Sequence, residues 1–339
     1  MQIEINWDVT YACPLRCVHC YSESGRRPAR QLSHAELLET ADALVAMKPR
    51  SVTFGGGEPL LVPGILEVAE RISRAGVEVA MYTGGWPLVP DTARELVRVF
   101  DRVNVSVDGA TAAVHDRIRG RRGSFARAVR ALELLDGAAA TDRPFMFGLD
   151  CVLVQSNLHE LDEVCILARR FPRLSSVWFG AAVPSGLASR PAFAERELLT
   201  DEQLRMLTSR DTLARLRALA PAGVRVATTD NRMLQMHPDT MARFDFSMMQ
   251  VEPDGQVRAM PIYEGTVGNV RTDPPDVLWE RSVARWKDPF VTAALSTADT
   301  MVQWAAATRR IDERFGSAEV RARIARRPEF GAAPVEVSR

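Results

Sequence analysis

Apolar positions along the first 180 residues follow two alternating periods. Short, dense apolar runs at Ile3–Thr10, Ser51–Phe54, Val77–Tyr82, Arg102–Val107, Phe145–Val154 and Ser176–Phe179 predict strands. Between them lie His34–Met47, Gly64–Ala75, Asp91–Val99, Thr111–Ile118, Phe125–Leu135 and Asn157–Arg170. These stretches space apolar residues three and four apart, as in Leu37, Leu38, Ala41, Leu44 and Val45, and predict helices. Strand–helix repetition predicts βαβ units on a parallel sheet. Six units are too few for a closed eight-stranded barrel. The expected class is α/β, an open partial (β/α)6 barrel whose site lies at the C-terminal strand ends.

The pattern changes after about residue 185. A helix over Asp201–Leu219 and a short strand over Gly223–Ala227 lead into an irregular stretch holding Met233, Met236, Met241, Met248, Met249 and Met260. Core packing is the reading for most of these methionines, with pocket lining the alternative. A hairpin of Met248–Val251 and Val257–Met260 turns on Pro253-Asp254-Gly255. Helices are predicted over Pro275–Trp286, Ala298–Phe315 and Ser317–Ala325. The organisation expected is a barrel over residues 1–185, a small α+β domain over 186–326 and a flexible tail over 327–339.

Composition narrows the partners. The 339 residues carry 43 basic and 43 acidic side chains, a balance that argues against a nucleic-acid partner. No run approaches the roughly 18 apolar residues of a membrane span, and the N-terminus lacks a basic region followed by an apolar stretch. A cytoplasmic protein with no membrane partner is expected. Of five cysteines, three fall in Cys13-Pro-Leu-Arg-Cys17-Val-His-Cys20, just after the first strand. Three thiolates on one short loop close around a metal centre at low entropic cost. Structural zinc needs a fourth ligand, and no second ligand pair exists here. A cubane iron–sulfur cluster held by three cysteines leaves one iron open for a substrate. Zinc, or three unpaired thiols, are the alternatives.

Further polar motifs end successive strands. Gly55-Gly56-Gly57-Glu58-Pro59 follows the second, allowing close backbone approach beside a carboxylate that can pair with an ammonium. Thr83-Gly84-Gly85 ends the third. The fourth ends in Asn104-Val-Ser106-Val-Asp108-Gly109, where Ser106 and Asp108 alternate with apolar residues and share a face. His115-Asp116-Arg117-Ile-Arg119-Gly120 follows, and Asn157 lies beyond the fifth strand. Asp116 and Arg117 read as a solvated helix face, and Asn157 reads equally well as a helix cap.

This ordered set resembles the radical S-adenosylmethionine (SAM) superfamily, with His19 standing where an aromatic residue is frequent. The resemblance covers residues 1 to about 180. It implies a 4Fe-4S cluster on Cys13, Cys17 and Cys20, whose open iron is chelated by SAM. It also implies a SAM-binding set of Gly56, Gly57, Glu58, Thr83, Ser106, Asp108, Arg119 and Asn157, and a flavodoxin or ferredoxin as reductant. Val251–Met260, Gly268-Asn269 and Trp279 look like the SPASM or twitch extension of that superfamily. Met260 stands at its cysteine position, and no cysteine follows Cys165, so the auxiliary clusters are not expected.

Without those clusters, redox-neutral chemistry is favoured: epimerisation, bond formation, elimination or rearrangement. Cys151, on the fifth strand, is a candidate hydrogen donor, with core packing as its plainer reading; Cys165 reads as buried. With twelve residues ahead of Cys13, a small polar natural-product intermediate of sugar, nucleoside or aminoglycoside type is the expected substrate, as in antibiotic biosynthesis. A ribosomal-peptide maturase is the alternative. A binding protein with a retired site is the non-enzymatic one.

Overall fold

The computed structural model describes residues 3–139 and 144–331. One ten-stranded sheet organises them. Its strands are β1 Glu4–Thr10, β2 Ser51–Gly56, β3 Glu78–Thr83, β4 Arg102–Ser106, β5 Met146–Leu153, β6 Ser176–Ala181, β7 Arg225–Thr229, β8 Met248–Val251, β9 Gln256–Arg258 and β10 Thr266–Asn269. Helices α1 His34–Ala46, α2 Ile65–Arg74, α3 Pro90–Val99, α4 Ala112–Arg119, α5 Ser124–Ala138 and α6 Leu161–Leu167 fill the first half. The second half holds α7 Pro191–Glu197, α8 Asp201–Leu207, α9 Arg210–Leu219, α10 Pro238–Met241, α11 Pro275–Trp286, α12 Pro289–Leu295, α13 Met301–Phe315 and α14 Ala318–Ala325.

The first six strands lie in chain order and pair parallel, as five successive βαβ units require. Side-chain alternation then divides the sheet. Ile5, Trp7, Val9, Val52, Phe54, Val103, Val105, Phe147, Leu149, Val177 and Phe179 are fully buried against the helices. Their strand neighbours Asn6, Thr53, Tyr82, Ser106, Asp150 and Trp178 are polar or aromatic, half-buried to exposed, and line the concave face. The barrel is therefore open, with a polar lumen.

Three expectations change. The boundary at 185/186 does not coincide with a break in the sheet. β7 continues it parallel beyond β6, and β8 pairs parallel with β1, so the C-terminal segment covers both edges of the barrel sheet. Unpaired edges would leave rows of amides exposed, which explains the arrangement. The helix expected over 201–219 is two, because the Ser209 hydroxyl accepts from Thr212 N and starts α9 anew. The tail expected to be flexible from 327 packs at its start: Arg327 pairs with Glu23 at 2.7 Å, and Phe330 sits edge-on to Phe193. Residues 332–339 lie outside the described residues.

The methionines divide in favour of packing. Met236, Met249 and Met260 are core, whereas Met233 is exposed and Met248 turns its sulfur to the Asn6 amide. Among the described residues, no helix is long and apolar enough to cross a membrane.

Candidate active site

The loop after β1 carries Cys13, Cys17 and Cys20 across the C-terminal end of the sheet. Two backbone bonds stitch it to the end of α4, from Arg16 N to Arg119 O and from Val18 N to Ile118 O, both 2.9 Å. Gly120 closes α4 with φ +65°, and a Cβ there would come within 2.2 Å of Arg16 O. On the other flank Leu187 N donates to Cys20 O at 3.0 Å. Helix end and return loop together hold the three thiols in place before any metal binds.

Two of the sulfurs face an N–H donor and the third a hydroxyl. Leu15 N points at Cys13 Sγ (3.4 Å), Arg119 Nη1 at Cys17 Sγ (3.9 Å), and Ser22 Oγ stands 3.5 Å from Cys20 Sγ. Donors to sulfur suit thiolate ligands and tune a cluster they hold. In the metal-free protein, burial pushes the Cys13 thiol up to about 12 and raises Cys17 against the pull of the Arg119 charge. A metal centre must therefore displace protons on binding. No three His, Cys, Asp or Glu among the described residues converge as ligands of a single ion. A cubane presents a separate iron to each thiolate, so the donor set fits a 4Fe-4S cluster better than zinc.

Glu58 lies alongside. Its carboxylate accepts from Thr83 Oγ1 (2.8 Å), Gly84 N (2.9 Å) and Leu60 N (3.3 Å), and burial raises it to about 7. Gly56 and Gly57 are required by packing: a Cβ on Gly57 would meet Ala12 O at 2.1 Å, and one on Gly56, at φ +97°, would meet Thr10 O at 2.6 Å. Both press the second strand's end against the base of the cysteine loop. Thr83 positions Glu58 and accepts from Gly85 N.

Asp108, Arg119 and Asn157 are engaged with one another's surroundings. Asp108 Oδ2 lies 2.7 Å from Arg119 Nε and 2.9 Å from His19 Nε2, and Oδ1 accepts from Val152 N. Burial works to raise this carboxyl, but the Arg119 and His19 charges overcome it and hold it well below the usual range. Asn157 donates to Asp108 O and Val152 O and accepts from Val154 N, joining the ends of β4 and β5. The His19 and His115 contacts to Asp108 were absent from the sequence reading; the alternation there showed a face but not its partners. Ser106 faces the lumen. Asp116 departs from its expected solvated face: its carboxylate accepts from Gly123 N, Ser124 Oγ and Phe125 N and so caps α5.

Cys151 lies on the helix-facing side of β5 with Leu149 and Leu153, 2% exposed. Burial raises its thiol well above the ordinary value. Strand alternation points it away from the lumen, so the hydrogen-donor role is not carried further. Cys165 is likewise core.

Comparison with known proteins agrees with this geometry. Residues 7–147 match the family model described as the radical SAM superfamily. Mycofactocin maturase MftC of Mycolicibacterium smegmatis is 39% identical over 168 residues, 49% of this chain and 42% of the relative. The AdoMet-dependent heme synthase of Nitratidesulfovibrio vulgaris is 25% identical over 298 residues, 82% of this chain and 78% of the relative. The chain thus matches less than half the length of the mycofactocin maturase. Streptococcus suis SuiB bound to S-adenosylmethionine shares the fold, with a TM-score of 0.67 at 12% identity over 94% of this chain and 77% of that one. A second structure holds SuiB with its precursor peptide SuiA, at a TM-score of 0.65 and 12% identity over 94% of this chain and 76% of that one.

Proposed function

Residues 7–147 place this chain in the radical SAM superfamily, and from that premise we propose that it is a SAM-cleaving enzyme that modifies a peptide. The observation that carries the reading is one juxtaposition. A three-cysteine loop with a polar partner at every sulfur sits at the same end of the parallel sheet as the carboxylate of Glu58.

When bound, a 4Fe-4S cluster on Cys13, Cys17 and Cys20 supplies the electron that splits SAM into methionine and a 5′-deoxyadenosyl radical. The protein's part is placement. Glu58, once ionised, accepts the SAM ammonium, with Thr83 and Gly84 fixing its two oxygens. Gly56 and Gly57 let β2 approach the loop closely enough for that. Ser106 offers its hydroxyl to SAM from the lumen. Asp108 and Asn157 brace the strand ends, and Arg119 lends its charge to the Cys17 thiolate and, beyond that pairing, to the SAM carboxylate. A flavodoxin or ferredoxin delivers the electron, and the missing auxiliary cysteines favour a redox-neutral product.

The peptide replaces the sugar-like metabolite expected above, because the related proteins include a maturase and a fold neighbour holding its precursor peptide. The earlier tilt rested on where the chain begins, which says nothing about its substrate. A tetrapyrrole is the second reading, favoured by the longer match to heme synthase.

Anaerobic reconstitution with iron, sulfide and SAM, followed by reduction, tests the proposal. Formation of 5′-deoxyadenosine should rise above its basal rate on adding a low-mass extract of the producing cells. Protease treatment of that extract should abolish the rise. Stimulation that survives protease removes the peptide, and failure to cleave SAM under any condition removes the enzyme.

A further inference from the structure

Asp150 is a lumen carboxylate with neither oxygen engaged by another described residue. It lies on β5 at the rung of Ser106 on β4 and Trp178 on β6, facing the concave side. Its carboxylate has no hydrogen bond or ion pair among the described residues. Of the other lumen carboxylates, Glu78 pairs with Arg102 at 2.9 Å, and Asp8 accepts from Tyr21 OH at 2.7 Å through Oδ1 while its Oδ2 is left without a partner. Burial, then the negative Asp108, raises Asp150 to about 7, while Arg119 pulls the other way without touching it. An ionised carboxylate held this way gains from any cation brought to it.

One aromatic ring adjoins the position and a second lies one rung away on the same face. Trp178 is its register partner on one side. Tyr82 of β3 lies on the rung of Asn104 and Gly148, two residues before that of Asp150, near enough for its phenol to feel the Asp150 charge, and keeps 41% of its surface exposed. The Trp178 ring already takes the Arg225 guanidinium at 5.4 Å from a lower rung, which shows that its surroundings tolerate a cation. A carboxylate beside an indole, with a phenol one rung away on the concave face, is the chemistry that selects an ammonium or guanidinium, through charge and cation–π attraction together.

We propose that Asp150, with Trp178 and Tyr82, forms a subsite for a positively charged group of the substrate, which on a peptide is a lysine or arginine side chain. The peptide form of this inference rests on the function proposed above; the preference for a cation does not. Nothing covalent is asked of Asp150. It positions the substrate under the radical source and keeps anionic groups out.

The test is anaerobic equilibrium dialysis of the cluster-loaded, SAM-saturated protein against Nα-acetyl-lysinamide and Nα-acetyl-norleucinamide, which differ in the terminal charge. Lysinamide should be retained at least tenfold better. Asp150→Asn should erase that preference with iron content and SAM affinity unchanged. Trp178→Leu, which keeps the carboxylate, should weaken lysinamide severalfold and serves if Asp150→Asn fails to load iron. Equal retention of the two amides overturns the proposal, as does a preference that survives both substitutions. Loss of SAM affinity in Asp150→Asn without loss of the preference assigns the residue to SAM instead. Protease-resistant stimulation in the earlier assay would sink the peptide while leaving this result standing.

Discussion

Glu58, the proposed partner of the SAM ammonium, destabilises the protein that carries it. Its pKa rises from 4.5 to about 7 because the folded chain removes the carboxylate from water. The folded state therefore binds the proton more tightly than the unfolded one. The penalty is absent below pH 4.5, grows as pH rises towards 7, and is constant above. Glu58→Gln should stabilise the SAM-free protein at pH 8 by on the order of 2 kcal/mol, read from urea midpoints. It should also abolish tight SAM binding. In the wild type, SAM binding to the oxidised cluster form should weaken about tenfold between pH 8 and pH 6, because an ammonium needs the ionised carboxylate. An unchanged dissociation constant across that range would detach Glu58 from SAM.

The elements around the cysteine loop were legible because each is a local pattern. β1 to β6 and α1 to α5 fall within a few residues of their apolar periods, and Ser33 with Glu36 caps α1 reciprocally. What the pattern could not show is which glycine serves which purpose. Gly57→Ala drives a methyl group into the Ala12 carbonyl, so it should displace the cysteine loop and cut iron per chain severalfold after reconstitution. Gly123 has φ +85° but open space around it, so Gly123→Ala should cost about 1 kcal/mol and keep its iron. Colorimetric iron and sulfide analysis of the two variants separates packing from backbone strain.

Across the whole molecule, a buried ionic chain joins the C-terminal segment to the cysteine loop. Arg258 pairs with Glu252 at 2.9 Å and faces Glu264 at 3.5 Å; Arg323 reaches Glu264 at 2.6 Å; and Arg327 holds Glu23 at 2.7 Å on the loop itself. Arg258 stands two residues before Met260, so these pairs lie beside the position where the SPASM pattern would carry a cluster ligand. Arg258→Met takes one partner each from Glu252 and Glu264, which keep Arg30 and Arg323, and should cost about 1–3 kcal/mol. Adding Glu252→Gln and Glu264→Gln should recover part of it, as urea unfolding would show. Full stability in the single variant would mean that water reaches the network.

Residue order alone determined the βαβ repeat, the cysteine spacing, the glycine–glutamate turn and the lack of later cysteines, because each depends on neighbours in sequence. Only tertiary structure decided that Asp108 and Arg119 face each other, that Cys151 turns to the helices, that Asp116 caps α5, and that Asp150 stands unpaired beside Trp178. Those facts depend on which strands lie side by side and on what burial leaves unsatisfied. A linear pattern records a side chain's periodicity; its partners are set by contacts between residues far apart along the chain.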